Sequence, residues 1–542
     1  MAIAIKAIHL QVYEGEWLSK EASRQYRKVY HAPAKRGTIY DRNFRELAVT
    51  VDSYSVFAHP GLVKDKSRVI EKLSQIINIK PDMIEDKLCS DKKFVWIKRM
   101  ISPDQVKKIK ELDLKGIDFA VEPGRAYPNR ELCSQVIGFT GIDGNGLEGL
   151  EFFYNNYLQG KTASSLTIKD AYGRSFIPTD TANIKEFGND LVLTLDRTIQ
   201  FITERELKNT VKNSMAKSAM AIIMIPSTGE ILAIAHYPSF NPNIFEQYQR
   251  SLWRNRAVTD PFEPGSTMKI FIAAAAIEYK ICNINSLFYC ENGSYQINSK
   301  TIHDSHPHGW LDLEDVIKYS SNIGAIKIGT LLGSEAVYNA LYNFGFGQKT
   351  TVDCPAETTG TLIDYKKWTE LDRGAISFGH GISVSAIQLI SAACAIANKG
   401  IYMQPFLVKT ILDYNGRKVL ENFPKQVKKV VSKQTSDDVK LIMESVVSPG
   451  GTGENAALEG YSVCGKTGTS HKLNPDGTYA KDKYLASFIG FVPSNNPALA
   501  ILVIVDEPQS GFYGGKVAAP AFRRIAYETL EYLNIIPETN EN

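Results

Sequence analysis

The sequence predicts a protein with a central β-sheet covered by helices, of the α/β or α+β class. Three apolar runs of strand length carry this prediction, at residues 219–225, 484–492 and 498–507, because continuous apolar runs of this kind are typical of buried strands. Two longer apolar runs, at 270–279 and 386–398, have the length and composition of buried helices. With 542 residues, 44% hydrophobic and 22% charged, the chain is globular and long enough for two or three domains.

In chain order, the first element is an apolar segment, residues 1–18. Its run MAIAIKAIHLQVY contains Lys6 and is shorter than the roughly 20 residues that a membrane-spanning helix needs. No basic segment precedes the run and no small-residue cleavage site follows it, so it lacks the pattern of a signal peptide. We interpret it either as an amphipathic first helix or as the remnant of, or the segment following, a membrane anchor.

The second region, residues 19–175, mixes short helices and strands and contains no recognisable catalytic motif. It closes with a glycine-punctuated stretch, GFTGIDGNGLEGLEFFYNNYLQGK, at 138–161. We predict that this region is a non-catalytic module. From Asp190 the pattern changes to a strand, an amphipathic helix and two strands joined by the turn PSTGE, which opens a second domain over 185–538. No low-complexity linker separates the two parts, so the boundary near 170–190 is soft.

Composition and charge exclude several classes of function. The 62 Lys and Arg nearly balance the 59 Asp and Glu, so electrostatics give no support for nucleic-acid binding. The seven cysteines are scattered and include no Cys-x-x-Cys pair, which argues against a disulfide framework or a zinc ribbon. Cys282 and Cys290 are the nearest pair and could bridge in an oxidising compartment. His303, His306 and His308 have no common zinc spacing, so we predict no metal and no cofactor.

One short motif suggests nucleophilic chemistry. Ser-x-x-Lys occurs three times, at 90–93, 214–217 and 266–269, so the spacing alone decides nothing. The third copy differs in its surroundings, because Ser266 follows Glu-Pro-Gly and precedes a strongly apolar helix. A helix that begins near Ser266 places Lys269 on the same face one turn later and puts free backbone N–H groups beside the hydroxyl. Those are the requirements of an activated serine.

Two further motifs accompany the third copy. Ser320 and Asn322 form Ser-x-Asn 54 residues after Ser266, a weak pattern that recurs twice elsewhere in the chain. Residues 466–469 read Lys-Thr-Gly-Thr, 200 residues after Ser266, and Lys-Thr-Gly occurs once. In this order the three motifs match the active-serine set of class A β-lactamases and penicillin-binding proteins.

The chain resembles a class B penicillin-binding protein, most closely the cell-division (FtsI-type) peptidoglycan D,D-transpeptidase. The resemblance extends nearly end to end. It rests on the runs RGTIYDRN (36–43), GLEGLE (146–151), TGEILAIAHYPSFNPN (228–243), NRAVTDPFEPGSTMK (255–269), SFGHGISV (377–384), GKTGT (465–469) and YGGKVAAPAF (513–522). Some residues depart from the family pattern: Phe44 stands where glycine is usual, and Ser385 where threonine followed by proline is usual. Ser470 and His471 depart mildly from the small residue that is usual after GKTGT. We interpret Ser385 as the N-cap of the helix that follows it.

The resemblance implies a fold and an activity. The fold is α+β: a penicillin-binding transpeptidase domain like that of serine β-lactamases, with a central antiparallel sheet flanked by helices, behind a mixed α/β pedestal domain of the dimerisation type. The activity is cross-linking of peptidoglycan stem peptides during septal cell-wall synthesis. The serine attacks the penultimate D-Ala carbonyl, expels the terminal D-Ala and passes the acyl group to an amine. β-Lactams acylate the same serine.

The resemblance also assigns roles to the motif residues, and the roles have physical reasons. Lys269 is the base for Ser266, and burial together with a second cation such as Lys466 favours its neutral form. Ser320 relays a proton toward the leaving amine. The substrate-binding residues are Asn322, Lys466, Thr467, Gly468 and Thr469, and the backbone N–H groups of Ser266 and Thr469 form the oxyanion hole.

Partners and location follow from the same resemblance. The expected ligands are stem peptides ending in D-Ala-D-Ala and β-lactams, with no nucleic acid. The region before the serine domain shows no candidate glycosyltransferase carboxylates, so glycan strands must come from a partner. The resemblance implies a membrane-embedded FtsW-type glycan polymerase and other division proteins. The expected location is the bacterial cytoplasmic membrane, with a single-pass anchor upstream of or truncated at residue 1 and the bulk of the chain extracytoplasmic.

Three alternatives stay open from the sequence. An elongation- or sporulation-type class B penicillin-binding protein has the same motifs, and the division type rests on overall length and a plain C-terminus. A β-lactamase needs a carboxylate that activates water, and Glu335 with Asn339 offers a Glu-x-x-x-Asn pattern, although both most simply lie on an amphipathic helix. A non-catalytic β-lactam sensor or scaffold could keep intact motifs, but no signalling domain is seen.

Overall fold

The computed structural model describes residues 2–32, 34–160, 163–169, 175–176, 187–298, 300–474, 476 and 478–538. Helices and mostly antiparallel strands alternate along the chain, so the α+β class is confirmed. An N-terminal region has a small core of its own, and a C-terminal region is organised around a five-stranded antiparallel sheet.

The N-terminal segment is helical and exposed. Every side chain from residue 2 to residue 13 is exposed to solvent. Among the residues described, none of the helices has both the length and the apolar character required to traverse a bilayer. The elements here are the helix Ala2–Ile8, the π-helix His9–Tyr13, the helix Gly15–Tyr26 and a three-stranded sheet of Arg27–Ala32, Ala163–Lys169 and Ser175–Phe176.

The rest of the N-terminal region packs helices on one face of a sheet. Its core contains Val56 and Ile97 from the strands and Leu73, Ile84 and Val106 from the helices. The strands are Glu46–Ala58, Val95–Ile101 and Ile117–Ala126, and the helices are Lys66–Ile77, Pro81–Leu88 and Pro103–Lys110, followed by the short helices Ser134–Ile137, Gly149–Phe153 and Asn155–Leu158. This core is separate from the two larger cores, one of which also contains N-terminal residues such as Phe139 and Leu150.

Two buried arginines of the N-terminal region share one buried glutamate. Arg36 Nε donates to Glu151 Oε2 and Arg125 Nε donates to Glu151 Oε1, each at 2.6 Å. The three side chains are at most 6% exposed. Burial lowers the pKa of Arg36, and the negative charge of Glu151 opposes that shift. Arg36 belongs to the run 36–43 and Glu151 to the run 146–151, so their ion pair holds the two runs together. Separation of the runs would leave a buried charge without a partner, which is strongly destabilising.

The turn at the end of the first of these runs contains a left-handed residue. Phe44 has a φ of 59°, a conformation that favours glycine and costs other residues energy. Asp41 holds the turn, because its carboxylate accepts from the backbone N–H groups of Asn43 and Arg45. The turn is therefore formed with phenylalanine in the position where the family usually has glycine.

One strand joins the two regions. Asp190–Leu193, which the sequence places at the opening of the second domain, runs parallel to Ile39–Tyr40 and antiparallel to Val408–Leu412. The N-terminal and C-terminal regions therefore share a hydrogen-bonded sheet. Its strand order is Lys418–Glu421, Val408–Leu412, Asp190–Leu193, Ile39–Tyr40, Glu46–Ala58 and Val95–Ile101, with Ile117–Ala126 also paired to Glu46–Ala58.

The central sheet of the C-terminal region contains the three predicted strands. Every residue of Ser218–Met224 and Leu499–Asp506 is buried, because helices cover both faces. The strand order is Ile231–Tyr237, Ser218–Met224, Leu499–Asp506, Tyr479–Val492 and Cys464–Leu473, all antiparallel. The Lys-Thr-Gly run thus lies on an edge strand of this sheet.

Two sets of helices enclose the central sheet. Arg197–Ser214 and Gly514–Tyr532 pack on one face, and Lys269–Glu278 and Ala386–Ala397 belong to the core on the other. Ser385 begins the last of these with a capping box, which confirms the predicted N-cap. Apart from short 3₁₀ turns, this region also contains the helices Arg256–Thr259, Leu313–Lys318, Asn322–Leu332, Ser334–Asn343, Glu370–Ser377 and Lys433–Val447, and the strands Leu287–Tyr289, Ser294–Ile297, Lys300–His303, Trp310–Asp312, Ile401–Met403 and Gln426–Lys429.

Candidate active site

The third Ser-x-x-Lys motif lies at the start of a buried helix. A 3₁₀ turn, Gly265–Met268, continues directly as the helix Lys269–Glu278. Gly265 has a φ of 55°, and a Cβ there would lie 2.9 Å from the carbonyl oxygen of Thr469. Glycine is therefore needed for this turn, which we call the serine turn, to touch the Lys-Thr-Gly strand. Ser266 is half-buried beside that contact.

The side chain of Lys269 is fully buried, with 0% exposure. Its amine donates to the carbonyl oxygen of Ser320 at 2.6 Å, to Ser320 Oγ at 3.2 Å and to Asn322 Oδ1 at 2.8 Å. Within the described part of the chain, it forms no hydrogen bond with Ser266 Oγ. The amine is therefore held by the Ser-x-Asn motif, while Ser266 lies on the turn that leads into the same helix.

The Ser-x-Asn motif forms a tight turn at the start of the helix Asn322–Leu332. Ser320 has a φ of 62°, a left-handed conformation that is uncommon outside glycine and clusters at functional sites. Ser321 caps the helix by accepting from a backbone N–H of its first turn at 2.9 Å. Asn322 Nδ2 donates to the carbonyl oxygen of His303 at 3.0 Å. This bond fixes the amide so that its oxygen faces the lysine amine.

The Lys-Thr-Gly strand completes the cluster. Lys466 is also 0% exposed and donates to Ser320 Oγ at 3.0 Å and to the carbonyl oxygen of Thr467 at 3.2 Å. Ser320 Oγ thus accepts from both Lys269 and Lys466. The structure brings residues of all three motifs to one hydroxyl group.

The two threonines of this strand flank Gly468. Thr467 Oγ1 donates to Thr452 Oγ1 at 3.1 Å, and Thr469 Oγ1 accepts from the N–H of Gly514 at 3.2 Å. A Cβ on Gly468 would lie 2.9 Å from a side-chain atom of the serine turn. The strand and the turn are therefore packed together with no room for a side chain at this position.

Burial dominates the electrostatics of the two lysines. It lowers the pKa of Lys269 to about 7, although the negative charge of Asp304 opposes the shift. Burial, and then the positive charge of Lys269, put the pKa of Lys466 well below its usual range. If both lysines were protonated, their ammonium groups would repel each other across the Ser320 hydroxyl. The site therefore favours a state in which one of the two lysines is neutral. A neutral amine has a lone pair and can accept a proton near neutral pH.

The other Ser-x-x-Lys copies lie outside this cluster. Ser90 Oγ donates to the carbonyl oxygen of Lys87 at 2.8 Å, and Ser214 Oγ donates to that of Thr210 at 2.6 Å. Both bonds run back along a local helical turn. The hydroxyls of these two serines therefore stabilise their own local turns.

The carboxylate considered for a β-lactamase is also outside the cluster. Glu335 and Asn339 lie on the helix Ser334–Asn343, as expected. Glu335 Oε1 accepts from the Tyr365 hydroxyl at 3.2 Å. Among the described residues it forms no hydrogen bond with any of the three motifs.

The histidine-rich loop has structural contacts. His308 stacks on Tyr319 with ring centroids 5.1 Å apart. The residues that the structure describes include no group of three His, Cys, Asp or Glu side chains arranged to hold a metal ion. All seven cysteines are free thiols, so Cys282 and Cys290 are not bridged.

Asp304, in the same loop, was not identified from the sequence. Its carboxylate accepts from Ser321 Oγ and from the backbone N–H groups of Asn322 and Ile323. An acidic residue just after a short strand is a candidate helix cap, and that signal was present in IHDSHPHGW. No local pattern shows which helix it caps.

A second group missed from the sequence lies beside the serine turn. Glu263 accepts from the backbone N–H of Gly381 at 2.9 Å and from the Tyr479 hydroxyl at 3.1 Å, and it lies 3.3 Å from His380 Nδ1. Burial opposes ionisation, but these partners lower the pKa of Glu263. The cluster ties the run 377–384 to the chain just before the serine turn.

Two protein-family models match the chain. The penicillin-binding protein transpeptidase domain matches residues 219–527, a range that contains all three motifs. The penicillin-binding protein dimerisation domain matches residues 31–193. Together they cover both regions of the fold.

Relatives match over nearly the whole chain. The probable peptidoglycan D,D-transpeptidase PenA of Neisseria meningitidis is 33% identical over 99% of this chain and 92% of its own length. The peptidoglycan D,D-transpeptidase FtsI of Escherichia coli K12 is 34% identical over 98% of this chain and 89% of its own. The stage V sporulation protein D of Bacillus subtilis is 34% identical over 98% of this chain and 84% of its own.

Solved structures share the fold. Penicillin-binding protein 3 of Mycobacterium tuberculosis, complexed with aztreonam, has a TM-score of 0.73 at 28% identity, over 94% of this chain and 98% of that one. A peptidoglycan synthetase of Bifidobacterium adolescentis has a TM-score of 0.75 at 23% identity, which bears on the fold alone. The two domain matches and the full-length relatives confirm the resemblance, and the chain belongs to the class B penicillin-binding protein family of peptidoglycan D,D-transpeptidases.

Proposed function

We propose that Ser266 is the nucleophile of this transpeptidase and that the chain cross-links stem peptides through a serine acyl-enzyme. The observation that carries the proposal is the convergence of two buried lysines, Lys269 and Lys466, on Ser320 Oγ at 3.2 Å and 3.0 Å. This cluster lies at the start of the helix that follows Ser266. A buried amine with a pKa of about 7 is suited to act as a base at neutral pH.

In the acylation step, Ser266 Oγ attacks the carbonyl carbon of the penultimate D-Ala, and its proton passes to the neutral amine of Lys269. The carbonyl oxygen becomes an oxyanion, which the backbone N–H groups of Ser266 and Thr469 stabilise by roughly 3 to 4 kcal/mol for each donor. The C–N bond to the terminal D-Ala then breaks. The proton returns from Lys269 through Ser320 Oγ, which is hydrogen-bonded to that amine, and the terminal D-Ala leaves as a free amine.

An amine of a neighbouring stem peptide completes the reaction. It attacks the acyl carbon, a new C–N bond forms, and the C–O bond to Ser266 breaks. The proton that the amine loses passes through Lys269 back to Ser266 Oγ. A β-lactam undergoes the same first step, but its leaving nitrogen stays tethered to the acyl group, so the acyl-enzyme persists.

Substrate binding is assigned to the edge strand and the Ser-x-Asn turn. Lys466 supplies positive potential, and the hydroxyls of Thr467 and Thr469 bind the substrate carboxylate. Gly468 lets the serine turn pack against the strand, and the free edge of the strand is where a peptide backbone would pair. Asn322 holds the substrate amide and orients the lysine base through its Oδ1.

Labelling with a fluorescent penicillin tests the nucleophile. The wild type should form a covalent adduct, and Ser266→Ala should form none because the attacking oxygen is missing. Ser90→Ala is the matched control, since it removes the serine of another Ser-x-x-Lys copy whose hydroxyl donates to Lys87. The control should label like the wild type. Equal labelling of Ser266→Ala would overturn the assignment.

The lifetime of the adduct separates a transpeptidase from a β-lactamase. Glu335 is bonded to Tyr365 and to none of the three motifs in the described chain, which supports slow hydrolysis of the acyl-enzyme. We expect the penicillin adduct to persist for minutes to hours. Turnover of the penicillin within seconds would support a β-lactamase instead.

We further infer that the protein works in septal cell-wall synthesis, on the extracytoplasmic side of the cytoplasmic membrane, beside an FtsW-type glycan polymerase. The similarity to FtsI over 98% of the chain supports the septal role, and the exposed apolar side chains of residues 2–13 support a membrane-proximal N-terminus. Equal identity to a sporulation protein makes sporulation the second candidate. Complementation of cells depleted of FtsI tests the choice, because continued filamentation would contradict the septal role.

A further inference from the structure

A carboxylate outside the three motifs holds the Ser-x-Asn turn. Asp304 Oδ1 accepts from the backbone N–H groups of Asn322 at 2.6 Å and Ile323 at 3.0 Å. Its Oδ2 accepts from Ser321 Oγ at 2.5 Å. These two N–H groups belong to the first helical turn, which leaves them unpaired, and a negative charge is favourable at this end of a helix.

The rest of the loop fixes Asp304 from the other side. Asp304 follows the strand Lys300–His303, and its N–H donates to the carbonyl oxygen of Gly293 at 3.1 Å. The residue before it, His303, accepts from Asn322 Nδ2 at 3.0 Å through its carbonyl oxygen. Two consecutive residues at the end of this strand thus bind both the backbone and the side chain of Asn322. Together they set the direction of the oxygen that accepts from the lysine amine.

We propose that Asp304 is a positioning residue of the acylation reaction, acting through the Ser-x-Asn turn on the geometry and charge of the Lys269 amine. The proposal rests on the proposed function, since it takes Lys269 as the base. Without the carboxylate, two backbone N–H groups lose their acceptor, and the Ser321 hydroxyl keeps only the weaker acceptor Cys290 Sγ at 3.4 Å. The neighbouring Ser320 has a strained backbone with a φ of 62°, which the anchored turn helps to maintain. Ser320 provides two of the three acceptors of the Lys269 amine, so a change in the turn would change the contacts of the amine.

The negative charge of Asp304 also affects the pKa of the Lys269 amine. Burial lowers the pKa of Lys269 to about 7, and the negative charge of Asp304 acts in the opposite direction. Two other titratable groups face the amine. Cys290, like Asp304, acts to raise the pKa of Lys269, and Lys466 approaches from the Lys-Thr-Gly strand. The positive charge of Lys327 acts to lower the pKa of Cys290, and Lys327 itself forms an ion pair with Glu291.

The sign of the expected effect follows from these charges. The rate of acylation rises with pH as Lys269 loses its proton. Removal of the negative charge at position 304 disfavours the protonated amine and lowers the pKa of Lys269. The rising limb of the pH profile then moves to lower pH. A residue that only supports the fold lowers the rate without moving the limb.

Variants of the full chain distinguish these two effects. Asp304→Asn removes the charge and keeps an acceptor oxygen, Asp304→Ser is a second neutral helix cap, and Asp304→Glu keeps the charge. Asp312→Asn is the matched control: Asp312 caps the neighbouring helix Leu313–Lys318, and asparagine caps equally well. The measurement is the rate of acylation by a fluorescent penicillin from about pH 5.5 to about pH 9, with circular dichroism to establish folding.

We expect Asp304→Asn to acylate about ten-fold more slowly on the plateau, because hydrogen bonds to a charged acceptor are replaced by weaker ones to a neutral acceptor. Its rising limb should lie at lower pH than that of the wild type. Asp304→Ser gives the same comparison if Asp304→Asn does not fold. Asp304→Glu should return the limb toward the wild-type position, and Asp312→Asn should match the wild type. A limb at the wild-type pH in both neutral variants overturns the proposal. Failure of the proposed function gives a different result, in which Ser266→Ala is acylated.

Discussion

Replacement of Gly468 by alanine tests how closely the edge strand and the serine turn must fit. A Cβ at this position would lie 2.3 Å from Ser487 Oγ, 2.9 Å from Thr267 Cγ2 and 3.1 Å from the carbonyl oxygen of Pro264. The Ser487 hydroxyl can rotate away. Thr267 and Pro264 are part of, or adjoin, the serine turn, so the turn and the strand must move apart.

The size of this movement sets the expected loss of activity. Carbon atoms in ordinary contact are about 3.5 to 4.0 Å apart, so the contact with Thr267, at 2.9 Å, must open by about 0.6 Å or more. A misplacement of about 1 Å at a catalytic site costs on the order of 100-fold in rate. We therefore expect the acylation rate of Gly468→Ala to fall by about ten-fold to about 100-fold. Overpacking should also lower the free energy of unfolding by about 1 to 3 kcal/mol.

The assay is acylation of the purified protein by a fluorescent penicillin, with denaturant unfolding measured in parallel. Gly61→Ala is the matched control, because a Cβ on Gly61 meets no atom within 4 Å. The control should acylate at the wild-type rate. Acylation at the wild-type rate by a folded Gly468→Ala protein would refute the requirement for a close fit between strand and turn.

Two further predictions concern titration and helix capping. Because burial lowers the pKa of Lys269 to about 7, acylation should accelerate as the pH rises through neutrality and the base loses its proton. A rate that is constant from about pH 6 to about pH 8 would contradict this choice of base. Ser385→Ala removes the capping box of the helix Ala386–Ala397 and should lower the free energy of unfolding by about 1 kcal/mol in a denaturant titration. The same variant should keep the wild-type acylation rate, and unchanged stability would show that the cap contributes nothing.

The strands of the central sheet could be predicted because burial on both faces leaves a continuous apolar run. Residues 219–225 and 498–507 have that pattern, and both form fully buried strands. The edge strand Cys464–Leu473 has a mixed composition, and its Lys466 is nevertheless 0% exposed. A buried lysine of this kind is explained by the neighbouring motifs and not by local hydrophobicity, so a local pattern does not predict it.

The residues near the serine could be predicted as a set, but their contacts could not. Helical spacing places Lys269 one turn after Ser266, whereas the structure gives its amine three hydrogen bonds to Ser320 and Asn322. Asp304 was missed because the helix that it caps begins 18 residues later in the chain. Contacts of this kind depend on how the intervening loops pack, which propensity and periodicity do not encode.

The position of the Lys-Thr-Gly run on an edge strand explains how one short motif can serve both the buried cluster and the substrate. Lys466 and Gly468 are two residues apart and therefore lie on the same face of the strand. On that face Lys466 contacts the Ser-x-Asn turn and Gly468 packs against the serine turn. Among the described residues, the strand pairs in the central sheet only with Tyr479–Val492, so its second edge presents backbone N–H and C=O groups to another partner. In the proposed function, we expect a stem peptide to be added there as a strand, which would satisfy those groups through its own backbone. Because the serine turn touches this strand, the added backbone would then lie beside the hydroxyl of Ser266, the proposed nucleophile.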